Sequence, residues 1–155
     1  MKRILSLIVL LVAFTSCEED VKFNNPAVQG LKDNELWRAT EFTAVKGGDN
    51  SLTITATNGF ETVVLRAQNS TVGIYQLGSG ELSKASYTLD VDGMNMFYTT
   101  GTNRGDGAIE ITMANTDLTK GYISGNFYFN AEDEDGDLVN FQRGVFYKVR
   151  LTTTP

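Results

Sequence analysis

From Glu35 onward apolar and polar residues alternate with period two, and no stretch keeps a helical period. The clearest run is SLTITATNGFETVVLRA, where Leu52, Ile54 and Ala56 alternate with Thr53 and Thr55 and a second run carries Val63, Val64 and Leu65. The Asn58-Gly59 pair between them predicts a type I′ hairpin turn, because both central residues of that turn take positive φ. ASYTLDVDGMNMFYTT repeats the arrangement around Asp92-Gly93. In GAIEITMAN, Ile109, Ile111 and Met113 fall on one face. The stretch GYISGNFYFNAEDEDGDLVNFQRGVFYKVRLT reads as two long strands joined by an acidic turn. Ile123, Phe127 and Phe129 share a face of the first. In the second, Val145, Tyr147, Val149 and Leu151 alternate with Phe146, Lys148 and Arg150.

This pattern predicts an all-β domain of about eight or nine strands with short turns and no βαβ spacing. A single sheet of that size would leave one apolar face wet, so the expected architecture is an antiparallel β-sandwich or open barrel. The domain is expected over residues 35–155, with no repeat and no second domain.

The first sixteen residues follow different rules. Lys2 and Arg3 precede an apolar run from Ile4 to Phe14, broken by Ser6. Eleven helical residues cover about half of a ~30 Å hydrocarbon core, so the run is too short to span and reads as a secretory signal peptide. Thr15 and Ser16 lead into Cys17, the single cysteine of the chain. This arrangement resembles the lipobox of bacterial lipoproteins, although Phe14 stands where that motif prefers leucine. The resemblance implies cleavage before Cys17 and a lipid on its thiol. Several acyl chains, at about 0.8 kcal/mol per buried CH₂, would hold the protein on a membrane. Glu18, Glu19 and Asp20 follow at once, and resemble the acidic export signal of lipoproteins displayed on the outer face of the Bacteroidetes outer membrane. Residues 18–34 then read as a tether that would reach on the order of 50 Å when extended.

Charge and composition narrow the chemistry. The chain carries 13 basic and 19 acidic residues, and cleavage before Cys17 would remove Lys2 and Arg3 to leave a net charge of −8. No basic stripe offers counterion release to a phosphate backbone, which argues against a nucleic-acid partner. There is no histidine. Nucleophile systems that use histidine as base are therefore excluded, and the usual zinc sites lose their commonest ligand. A lone cysteine forms no intrachain disulfide.

Four features remain as candidate chemistry. Asp133, Asp135 and Asp137 around Gly136 are spaced like ligands of a calcium loop, yet the first position falls on Ala131 and the twelfth on Gln142. The segment is expected to be a solvated hairpin turn that offers calcium a weak site at most, and no other cofactor is expected. Arg104-Gly105-Asp106 reads as a glycine-rich loop. Trp37, the only tryptophan, would suit a sugar-binding face but is expected in the core. Glu41, Glu61, Glu81 and Glu110 lie in or near strands, and their spacing selects no catalytic pair.

The run from Gly107 to Val149 is similar to the C-terminal half of a family of uncharacterised Bacteroidetes envelope lipoproteins. That family's pattern is G-x-I-x-I-T, an aspartate, I-S-G-x-F-x-F-x-A, an acidic turn and a closing G-x-F-x-x-V. Here these are Gly107 to Thr112, Asp117, Ile123 to Ala131, and Gly144 to Val149. The resemblance implies a location and a fold class, and no catalytic residue. The expected function is a non-catalytic, lipid-anchored outer-membrane protein that binds a glycan or an envelope protein. The alternatives are a structural subunit of an outer-membrane complex and, more remotely, a carboxylate-based glycan hydrolase.

Overall fold

The structure is a computed structural model, and it describes residues 27–153. Those residues form eleven strands: β1 (Val28–Lys32), β2 (Glu35–Arg38), β3 (Glu41–Lys46), β4 (Leu52–Asn58), β5 (Glu61–Ala67), β6 (Gly73–Leu77), β7 (Lys84–Val91), β8 (Met94–Thr99), β9 (Asp106–Ile111), β10 (Tyr122–Glu132) and β11 (Leu138–Thr153). The all-β expectation holds, with a higher strand count than the eight or nine expected. One of the additional elements comes from the N-terminal side. Val28–Lys32, read from sequence as tether, is a strand paired on both sides, with β11 and with β2. The connecting residues Asp33 and Asn34 take φ of 49° and 68°, the left-handed pair that a two-residue type I′ turn demands.

The ladders run β6-β9-β10-β11-β1-β2 on one side and β3-β4-β5-β7-β8 on the other. Two corners join them. The C-terminal end of β11 pairs with β3, and Glu132 at the end of β10 pairs with Thr99 at the end of β8. Because β10 also pairs with β11, the ladder closes on itself in a barrel-like sandwich. The β3–β11 pairing is parallel, which departs from the fully antiparallel expectation.

Strand faces explain the core. On β4 and β5, Leu52, Ile54, Ala56, Val63 and Leu65 point inward as the alternation predicts. Phe127, Phe129, Phe141 and Phe146 face them from β10 and β11, all fully buried. Phe129 and Phe141 stack with centroids 4.8 Å apart, and Trp37 meets Phe141 edge-on at 5.7 Å. Trp37 is thus core, as expected.

The face assignment fails on β11. Val139 and Phe141 point inward, then Gly144 and Phe146, then Val149. Each change of phase coincides with one extra residue on β11. Phe127 and Phe129 oppose Gly144 and Phe141, while Ile123 and Gly125 oppose Val149 and Phe146. Arg143 (φ 49°) and Lys148 (φ 47°) lie in those two insertions, so both are β-bulges. Val145 and Tyr147 are consequently only half-buried, and Phe146 takes the core position. Met113 lies beyond the end of β9 and is exposed, not on the face of Ile109 and Ile111.

The Asn58-Gly59 turn is also displaced. Asn58 pairs with Glu61, so the central residues are Gly59 and Phe60, with positive φ at Gly59 alone. That is the type II′ pattern. Asp92-Gly93, with φ of 51° and 81°, forms the type I′ turn.

Where β10 crosses Phe146, the chain needs a residue with no Cβ. A Cβ on Gly125 would come within 2.0 Å of the Glu110 carbonyl oxygen and 2.3 Å of the Phe146 ring. Gly48, in the β3–β4 turn, has nothing within 4 Å. Gly125→Ala is expected to lower stability by about 3 kcal/mol, the upper range for overpacking a core, and Gly48→Ala to change it little. Urea denaturation of both variants checks this.

Candidate functional site

β1 runs from Val28, opposite Phe146, to Lys32, opposite Phe141. The chain therefore enters the sheet toward the C-terminal part of β11 and climbs about 13 Å toward the end that carries the β10–β11 turn. The β1–β2 and β4–β5 turns meet at that same end, because Lys32 reaches across to Glu61. Asp33 fixes the β1–β2 turn to β11, accepting from Asn140 N–H through its carboxylate and donating its own N–H to the Asn140 carbonyl.

Three inward-facing side chains close the mouth between the sheets. The Lys32 ammonium donates to the Glu61 carboxylate and, at 3.0 Å, to the Tyr87 hydroxyl. Tyr87 in turn donates to the same Glu61 oxygen at 2.7 Å. Burial alone would raise the Glu61 pKa, but hydrogen bonds and charge from Lys32, with the Tyr87 hydroxyl, hold it below the usual value. Tyr87 is pushed up to about 12 by burial and by the Glu61 carboxylate. For Lys32, burial would favour the neutral amine, but Glu61 and Tyr87 raise its pKa above the ordinary value. The buried Trp37 indole N–H comes near enough to Glu61 to add a small further lowering. It stops short of hydrogen-bond geometry and has no partner among the described residues.

The other glutamates do not form a pair with Glu61. Glu81 accepts from Lys84 and from the backbone N–H and hydroxyl of Thr102, which bring its pKa down to about 2. Glu110 lies exposed beside Asn126, and Glu41 lies exposed at the start of β3. The carboxylates that shift are Asp49, Glu61, Glu81 and Asp117, and all four shift down.

The acidic turn stands beside this mouth. Asp133 accepts from the backbone N–H groups of Asp135 and Asp137 through one oxygen, so its carboxylate closes the turn. Among the described residues no group of three or more potential ligands is gathered for a metal ion. Asp135 and Asp137 are exposed. Arg104-Gly105-Asp106 is built into the sheet corner: Gly105 N–H donates to Glu132, and Asp106 opens β9 and accepts from Asn130. Cys17, Glu18, Glu19 and Asp20 lie outside the described residues.

Hollows on the surface are lined by several of the described residues. One of about 470 Å³ lies between Asn95, Met96 and Phe97 of β8 and the acidic residues Asp133 to Asp137. A second, of about 370 Å³, is lined by Asn115, Asp117, Lys120, Tyr122 and Lys148. The third, about 170 Å³, is a dent over Ala108 between Tyr128 and Gln76 on the outer face of β6, β9 and β10. Sequence reasoning found the acidic wall of the first hollow and missed its β8 wall, because a free strand edge depends on where distant strands stop.

A family model described as a domain of unknown function (DUF6252) matches residues 24–150. The chain belongs to that family. The matched span starts before β1 and runs through β11 as far as Arg150, in agreement with a domain that begins earlier than Glu35. No curated protein and no solved structure matches the chain. Among the described residues of this DUF6252 member, no helix is long and apolar enough to cross a membrane.

The Lys32–Glu61–Tyr87 cluster sets a pH window. Glu61 has a lowered folded pKa, so its contribution is complete above the ordinary 4.5 and is lost as pH falls through the folded value. Lys32 and Tyr87 have raised folded pKa values, so theirs is complete below the ordinary 10.5 and 10.0 and lost as pH rises, toward about 12 for Tyr87. Stability is expected to be flat from about pH 5 to 9 and to fall on both sides. Lys32→Met, which leaves a part-buried carboxylate unpaired, should cost about 2 kcal/mol at pH 7 and less near pH 3, as read from denaturation curves.

Proposed function

We propose that this DUF6252 protein is a non-catalytic, lipid-anchored envelope protein that binds a protein partner through the end of the sandwich farthest from its anchor. The observation that carries the reading is the direction of β1. The chain enters toward the C-terminal part of β11, and the β1–β2, β4–β5 and β10–β11 turns gather at the opposite end. A lipid on Cys17 would then present the acidic turn and the edge of β8 away from the membrane. Ten residues, Glu18 to Ala27, separate that cysteine from β1 and span at most about 35 Å.

The titratable groups support binding over catalysis. A general acid at neutral pH needs a raised carboxylate pKa, and a general base needs a proton acceptor poised near the working pH. Glu61 is held ionised by a cation and Tyr87 is held protonated, so neither fits. The distal end also exposes Met94, Phe97 and Leu138, apolar side chains that suit a protein surface. Trp37, the side chain best suited to a sugar ring, is buried under Phe141.

Membrane fractionation of cells producing wild type and Cys17→Ser tests the anchor. Wild type is expected in the outer-membrane fraction, and the variant in the soluble fraction with unchanged stability. A Cys17→Ser protein that stays in the membrane fraction would sink the reading. Protease added to intact cells then separates outward from periplasmic display.

A further inference from the structure

Among the described residues, the edge of β8 beyond Thr99 has no neighbouring strand. Asp92-Gly93 makes a two-residue turn, so the flanking Val91 and Met94 form a hydrogen-bonded pair. Thr100 N–H donates to the Ala85 carbonyl at the other end of the same ladder, which fixes the phase independently. Met94, Met96 and Tyr98 therefore spend their backbone groups on β7, and Asn95, Phe97 and Thr99 turn theirs away from it. Among the described residues only Thr99 finds a strand there, the terminal Glu132 of β10. After Glu132 the chain turns away through Asp133–Asp137 and leaves the hollow of about 470 Å³ where β10 would have continued.

The walls of that hollow state what would fill it. One side offers the N–H and C=O groups of Asn95 and Phe97, which have no partner among the described residues, together with the side chains of Met96 (42% exposed) and Phe97 (51% exposed). The other side offers Asp133, Glu134, Asp135 and Asp137, which make no ion pair with any described residue. We propose that β8 accepts an extended basic segment of a partner protein, added as a strand along Asn95–Phe97 with its lysines or arginines against the acidic turn. This deepens the proposed function and rests on its partner-binding reading. Strand addition draws affinity from main-chain hydrogen bonds and specificity from alternate side chains, and here the alternate positions meet methionine and carboxylate.

Charge decides among occupants. A second copy adding its own β8 would bring two acidic turns together. The chain's own N-terminal segment begins Glu18-Glu19-Asp20 and joins the domain toward the other end. Both meet like charge, and a basic strand meets opposite charge.

The test uses the full chain in detergent and two heptapeptides, one alternating lysine with valine and one alternating glutamate with valine, titrated by fluorescence anisotropy. The lysine peptide should bind and the glutamate peptide should not. Phe97→Pro removes one outward N–H while sparing the β7 ladder, since proline is tolerated on an edge strand whose N–H faces out. It should weaken lysine-peptide binding roughly tenfold. Glu134→Lys with Asp135→Lys touches no side-chain hydrogen bond of the turn and should reverse the preference between peptides. Circular dichroism and urea midpoints establish that the variants are folded. Equal binding of both peptides, binding by folded Phe97→Pro at wild-type strength, or a peptide-free dimer that Phe97→Pro dissolves would each overturn the proposal. So would lysine-peptide binding that appears only after residues 18–26 are deleted, which would make the chain's own segment the occupant. None of these outcomes touches the anchor, which the Cys17→Ser fractionation reads separately.

Discussion

One strand holds the two halves of this molecule in a single closed ladder. β11 is sixteen residues long and pairs with β10, β1 and β3. A regular strand of that length would keep one face throughout and could serve only one sheet. The bulges at Arg143 and Lys148 change its phase twice and increase its local twist. Phe141, Phe146 and Val149 can then all reach the same core although their spacing is not even. From Leu138 to Arg150, β11 serves the six-stranded side through β10 and β1, and its last residues, Leu151 to Thr153, turn the corner to β3. Both bulge residues adopt left-handed backbone without being glycine, and the ladders on either side hold them there.

The same geometry shapes the two ends. At the mouth, Lys32 points inward from β1 because it lies two residues from Gly30 and four from Val28 on the core face. It meets Glu61, which lies in register with Leu89 and Asn58 on the opposite side. A charged pair at the rim of an aromatic core is sheltered enough to be held firmly and open enough not to carry a full desolvation penalty. At the seam, closure between β8 and β10 rests on one residue pair, so the ring is complete only at its corner and the rest of the β8 edge has no strand beside it among the described residues.

Much of this was legible in the residues, and the exceptions have causes. Alternation placed Leu52 to Leu65 and Ile123 to Phe129 correctly because those strands carry no insertion within the runs used. It misplaced Val145, Tyr147 and Phe146 because a bulge adds one residue, and a shift of one reverses every face beyond it. Arginine and lysine give no local sign of a left-handed position. The first strand hid for another reason: Val28-Gln29-Gly30-Leu31-Lys32 is short, and its Gly30 fits against Gly144 rather than signalling a loop. The Asp33-Asn34 pair was the available signal, since both residues tolerate positive φ. The acidic wall of the candidate site could be read at a glance. The strand edge facing it could not, because an edge is defined by the absence of a neighbour 35 residues further along the chain, counted from Phe97 to Glu132.

Strand addition to this protein needs β8 to be a bare edge. Residue-resolved amide hydrogen exchange measures it directly. Asn95 and Phe97 should exchange rapidly while Met96 and Tyr98, bonded to β7, stay protected, and adding the lysine–valine peptide should protect Asn95 and Phe97. Equal protection of all four amides in the protein alone would show that the edge is already covered, which contradicts strand addition to β8.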